Sequence, residues 1–76
     1  MARVISVRPA GPNWTVVDSI VDAEEVCATG AQAETAGRRR LDELACAGEA
    51  AELRIYLRDG SLAGRFVTVV SALEPA

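Results

Sequence analysis

The stretch Thr29-Gly30-Ala31-Gln32-Ala33-Glu34-Thr35-Ala36-Gly37-Arg38-Arg39-Arg40-Leu41-Asp42-Glu43-Leu44-Ala45-Cys46-Ala47-Gly48 decides the fold, because it is the one segment with a helical pattern. Thr29 is a good N-cap: its hydroxyl can accept from a free backbone N–H of the first turn, and Gln32 three residues later completes a capping box. Residues 31–47 are rich in alanine, leucine, glutamate and arginine, all good helix formers. Gly48 supplies the usual C-terminal stop. Ala33, Gly37, Leu41, Leu44 and Ala45 recur at helical spacing and mark one apolar face, small at its start and larger at its end. Small residues let a helix axis lie close to a sheet. Glu34 and Arg38 stand four apart in the favourable order for an ion pair on the outer face.

The flanks of this helix read as strands. Val4-Ile5-Ser6-Val7 is a short strand-favouring run, broken by Pro9-Ala10-Gly11-Pro12-Asn13, and strand character resumes over Trp14-Thr15-Val16-Val17-Asp18-Ser19-Ile20-Val21. Two such runs around a five-residue loop predict a hairpin. Asp22-Ala23-Glu24-Glu25 reads as a solvated acidic turn, without the spaced oxygen ligands and central glycine of a calcium loop. Val26-Cys27-Ala28 fits either a third, very short strand or an extended approach to the helix. Beyond the helix, residues 52–58 alternate, with Leu53, Ile55 and Leu57 on one side and Arg54, Tyr56 and Arg58 on the other. Asp59-Gly60 signals a two-residue turn, residues 62–70 return as the last strand, and residues 71–76 read as a tail. The expectation is one domain over residues 1–70, of α+β class. A single helix packs on a small, mainly antiparallel twisted sheet in the order β-β-α-β-β.

The order and spacing of these features resemble a known family. Val4 to Val7 lead by a turn to Trp14-Thr15-Val16, Thr29 opens an alanine-spaced helix, and Leu53-Arg54-Ile55-Tyr56 precedes Arg58-Asp59-Gly60 and Phe66. Over roughly residues 4–67 the chain is similar to the small bacterial domain of unknown function numbered 2188. Asn13 stands where a glycine often precedes the tryptophan in that family, and the segment after that strand is acidic here where it is commonly basic. The resemblance implies a fold and brings no activity with it.

Composition narrows the chemistry. At 76 residues, 50% of them hydrophobic, the chain suffices for one domain. A domain of this size buries only about 60% of its unfolded surface, so partners, metals or disulfides commonly support it. All eight basic residues are arginines, with no lysine and no histidine. The chain therefore has no lysine for a Schiff base, no imidazole for general base work and no histidine ligand for a metal. Cys27 and Cys46 do not form a CxxC motif, and two thiolates alone do not complete a zinc site; both read as small apolar residues, with a Cys27–Cys46 disulfide left open. The serines have no histidine to activate them, and Gly60-Ser61-Leu62-Ala63-Gly64 lacks the lysine and the length of a phosphate loop. No catalytic, cofactor-binding or metal-binding residue is expected, and the chain is read as not an enzyme. It shows no signal peptide and no membrane-spanning stretch, which gives a cytoplasmic location as the default.

Two surfaces carry the functional expectation. The first, second and last strands bear apolar residues on both parities, more than one helix can shield. Burying ~400 Å² of such surface per chain would contribute on the order of 10 kcal/mol before association costs. A small self-associating interaction module follows, a homodimer formed by sheet packing or strand exchange through Ile5, Val7, Val17, Val21, Val67 and Val69; an unlike protein partner would satisfy the same surface. The alternative is single-stranded nucleic-acid binding on a basic, aromatic sheet face built from Arg54, Tyr56, Arg58 and Arg65, against which the net charge of −3 weighs. Trp14 reads as a core anchor rather than a stacking platform. Arg38-Arg39-Arg40 fan over about 200° of the helix and form no single flat patch.

Overall fold

Two hairpins flank the helix, and a short third strand joins the first of them. The computed structural model describes residues 3–21 and 24–68. Strand β1 (Arg3–Ala10) pairs antiparallel with β2 (Asn13–Asp18), so Gly11-Pro12 is the whole connection. Pro9 and Ala10 are strand residues rather than loop, opposite Trp14 and Asn13. Pro9 lies past the end of β1's other ladder, where a missing N–H leaves no partner unpaired. At its far end β2 stops at Asp18. Asp18 Oδ1 accepts the Ile20 N–H at 3.0 Å, and the Ser19 N–H turns to the Val4 carbonyl at 2.9 Å. Ile20 and Val21 therefore leave the sheet instead of continuing the strand.

Residues Glu24–Cys27 form β3, antiparallel to β2, which makes the order β-β-β-α-β-β. Helix α1 (Gly30–Cys46) begins at the expected cap: Thr29 Oγ1 accepts the Gln32 N–H at 3.1 Å. The Gln32 side chain reaches back to the Ala28 N–H at 3.2 Å, one residue before the cap itself. The helix ends in a Schellman motif. The Gly48 N–H donates to Ala45 and the Glu49 N–H to Leu44, with Gly48 at φ +77°, a conformation that costs glycine nothing.

Strand β4 (Ala51–Tyr56) runs parallel to β1, and β5 (Leu62–Val67) returns antiparallel to β4. β4 stops at Tyr56, not Arg58, and the connection is longer than the two-residue turn expected. The Gly60 N–H closes on the Leu57 carbonyl at 2.9 Å, with Gly60 at φ +90°, and the Leu57 N–H on Ser61 at 2.8 Å. A three-residue hairpin loop with a left-handed third residue has this form. Ala63 is an extra residue in β5: Ile55 faces Gly64 while Tyr56 faces Leu62. The sheet order is β3-β2-β1-β4-β5, an α+β layer with three antiparallel pairs and one parallel pair.

One face of the sheet lies under α1. Ile5, Val7, Val16, Ala51 and Leu53 meet Ala33, Leu41 and Leu44 there, and Ile5, Val7 and Leu53 are fully buried. Gly37 holds the closest approach. Of the expected helix face, only Ala45 is exposed. Trp14 packs against the first turn of the helix at Gly30, as the anchor reading required. The Cys27 and Cys46 thiols are free.

Among the described residues no helix covers the opposite face, and that face corrects the parity count. Cross-strand partners share a face. Val4, Ser6 and Arg8 of β1 lie there beside Thr15 and Val17 of β2, Glu52, Arg54 and Tyr56 of β4, and Arg65 and Val67 of β5. Its centre is polar: Ser6, Thr15 and Glu52 are each under a tenth exposed because longer neighbours crowd over them.

Candidate functional site

The six residues expected to form a dimer surface do not share one. Ile5 and Val7 are 0% exposed beneath α1 and cannot reach a second chain. Val17 and Val67 are on the open face with Ser6 and Arg54 between their strands. Val21 has left the sheet and lines a groove with Ile5, Val16 and Ala36, and Val69 lies outside the described residues. Sequence alternation alone extended β2 past the point where Asp18 ends it; of the expected last strand, Leu62–Val67 form β5, and residues 69 and 70 lie outside the described residues.

Apolar exposure lies at both ends of the sheet: Ile20, Val21 and Val26 at the β2–β3 end, and three residues of the β5 edge at the other. Leu62, Phe66 and Val67 are 48%, 37% and 56% exposed. The helix packs on β1, β2, β3 and β4, so β5 lies outside the strip it covers. The Arg38 side chain reaches over from the helix, its guanidinium 4.2 Å from the centre of the Phe66 ring. The other edge, β3, is different: adjacent Glu24 and Glu25 put a carboxylate on each face.

Arginines divide into those with carboxylate partners and those without. Arg3 grips Asp18 through Nε and Nη2 at 2.8–3.0 Å and reaches Glu49 at 2.9 Å, while Arg40 spans Asp18 and Glu43 at 3.4 Å. This chain of charges ties β1 and β2 to the second half of α1. Hydrogen bonds from Arg3 hold the Asp18 carboxyl down to about 2, overcoming the opposing effect of burial. On the open face, Glu52 accepts from Arg65 at 2.9 and 3.1 Å and from the Arg54 Nε. Those bonds, Arg65's first and then Arg54's, bring the Glu52 carboxyl to about 2. Arg38 pairs with Glu34 at 3.2 Å, as the spacing predicted.

Of the proposed nucleic-acid face, then, Arg54 and Arg65 are occupied by Glu52. Tyr56 shares their face, its hydroxyl beside the Arg54 guanidinium, and the Arg8 guanidinium stands 5.3 Å from its ring centre. Arg58 sits in the β4–β5 loop, donates to the Gly11 carbonyl at 2.9 Å, and stands 5.4 Å from the Trp14 ring centre. Arg8, Pro9, Gly11, Tyr56, Leu57, Arg58 and Gly60 line a cleft of about 560 Å³ where the two hairpin tips meet. Sequence reading missed Arg8, because its approach to Tyr56 depends on β1 and β4 being neighbours. Its period-two place beside Ser6 was the only local signal.

Among the described residues, no group of three or more cysteine, aspartate and glutamate side chains is placed to hold a metal ion, and no helix is long and apolar enough to cross a membrane. No family model, curated protein or solved structure matches the chain. The likeness to the family numbered 2188 finds no support in these comparisons.

Proposed function

We propose that this chain is a small non-enzymatic interaction module that associates with a second copy of itself through the β5 edge. The observation that carries this reading is an asymmetry. Edge strand β5 exposes Leu62, Phe66 and Val67 beyond the cover of the helix and carries no carboxylate, whereas edge strand β3 exposes Val26 beside the carboxylates of Glu24 and Glu25. An exposed strand edge offers unpaired backbone N–H and C=O groups to another strand. Two identical β5 strands running antiparallel satisfy each other about a two-fold axis, and their apolar side chains meet on both faces. A chain with a single pairing edge closes as a dimer, whereas two such edges would build a filament. The β5 edge takes the place of the sheet-face packing that the strand parities suggested.

Light scattering on a sizing column tests the proposal. At roughly 100 μM, well above the Kd of a weak transient pair, the protein is expected to run at twice the monomer mass. Val67→Lys is expected to return it to monomer, because a charge at that edge opposes pairing. Val26→Lys on β3 is expected to leave the dimer intact. A monomer over the whole concentration range, or a dimer lost on Val26→Lys and kept on Val67→Lys, overturns the reading.

A further inference from the structure

The eight arginines are not distributed evenly over their partners. Arg3, Arg38, Arg40, Arg54 and Arg65 each bond a carboxylate, whereas Arg8, Arg39 and Arg58 form no ion pair among the described residues. Two of those three stand at the same end of the sheet and line the same cleft, each close to an aromatic ring. Among the described residues no carboxylate lines that cleft. The nearest acid in sequence, Asp59, is turned to its own loop, accepting from the Ser61 N–H at 2.9 Å and the Ser61 hydroxyl at 2.6 Å. In a protein of net charge −3, this end keeps two guanidiniums with no carboxylate partner among the described residues.

We propose that the cleft between Arg8, Tyr56 and Arg58 binds single-stranded nucleic acid, its phosphates on the two guanidiniums and a base stacked against Tyr56 and Arg8. Arginine is suited to both tasks: its planar fork takes two phosphate oxygens, and its face stacks on a base. Stacking on an aromatic ring accepts any base, so the site reads backbone and ring rather than sequence. The Gly11 carbonyl fixes Arg58, and the Tyr56 ring supports Arg8, so neither long side chain must be ordered wholly at the moment of binding. A simple anion would need the charges alone. The Tyr56 ring in the same cleft as the two guanidiniums favours a ligand that carries both phosphate and base.

Fluorescence anisotropy with a labelled oligothymidylate of roughly twelve nucleotides tests the site. Saturable binding is expected at low salt, and two phosphate contacts give a slope of log K against log salt of about −1.4. Arg8→Gln and Arg58→Gln are each expected to flatten that slope by roughly half and weaken binding across all sequences. Tyr56→Leu, which keeps both charges, is expected to lose roughly tenfold in affinity with the slope unchanged. Arg39→Gln, which removes the third unpaired guanidinium, is expected to bind like the parent. Thermal melts confirm that each variant is folded, and Arg8→Gln, on an exposed strand face, carries the test if Arg58→Gln unfolds. Three outcomes overturn the proposal: no binding at low salt, equal loss on Arg39→Gln, or equally effective displacement by an oligoglutamate peptide.

Discussion

A β-carbon on Gly37 would come within 2.9 Å of Leu53 Cδ1, and equally close to Val7 Cγ2. Helix and sheet meet at this point, with Leu53 and Val7 wholly buried beneath it. Gly37→Val therefore forces the helix off β1 and β4 or the two methyl groups out of their positions. The expected cost is about 2–3 kcal/mol, typical of overpacking a filled core. Gly37→Ala is expected to cost less, because alanine recovers about 1 kcal/mol of helix propensity. Urea unfolding of the two variants checks the ranking.

Leu53→Ala is the complementary change. It removes the largest contact on the sheet side of the same junction and is expected to cost about 2–5 kcal/mol. Combined with Gly37→Val it should be milder than the sum of the two, since the new side chain occupies part of the space vacated. A double-mutant cycle in urea measures that coupling.

Acid is expected to unfold the protein through Asp18 and Glu52. Both carboxyls titrate at about 2 in the folded chain, against ordinary values of 3.8 and 4.5. The unfolded chain thus binds protons first as the pH falls. The stability these groups contribute is complete above about pH 5 and is lost progressively towards pH 2. Denaturant titrations across that window should show the midpoint falling. Asp18→Asn and Glu52→Gln should each be less stable at pH 7 and show a shallower fall.

Thr29→Ala removes the acceptor of the Gln32 N–H at the helix start. The expected loss is about 1 kcal/mol, the usual value of a threonine cap. Thr29→Ser should retain most of the stability. Thermal melts of the two variants separate the cap from a change of volume.

Both thiols are free, with Cys46 exposed and Cys27 partly covered beside Trp14. A thiol reagent is expected to label Cys46 quickly and Cys27 slowly under native conditions. The two rates should converge in denaturant. Rapid labelling of Cys27 alone, or of neither, would contradict this packing.

The features legible in the residues were those that repeat locally. Ala33, Gly37, Leu41 and Leu44 showed the buried helix face, Thr29 and Gly48 marked its ends, and Leu53 and Ile55 showed the covered side of β4. Strand ends were less legible. Val17, Ile20 and Val21 read as one strand until the Asp18 carboxylate, held by Arg3, turned the chain away. Glu52 was also readable in part: it shares a period-two face with Arg54, but its second partner, Arg65, comes from across a hairpin whose bulge alternation does not reveal.

Local residue preferences were enough to set the helix, the two hairpins and an acidic chain whose basic groups are all arginine, because periodicity, capping and turn chemistry act over a few neighbouring residues. The parallel pairing of β4 against β1 arose only in the folded chain. That pairing joins segments far apart in the chain and is fixed by the helix crossing between them, not by any local preference. It sets Arg8 beside Tyr56 and Arg3 beside Glu49, and so determines which guanidiniums are neutralised and which stay available.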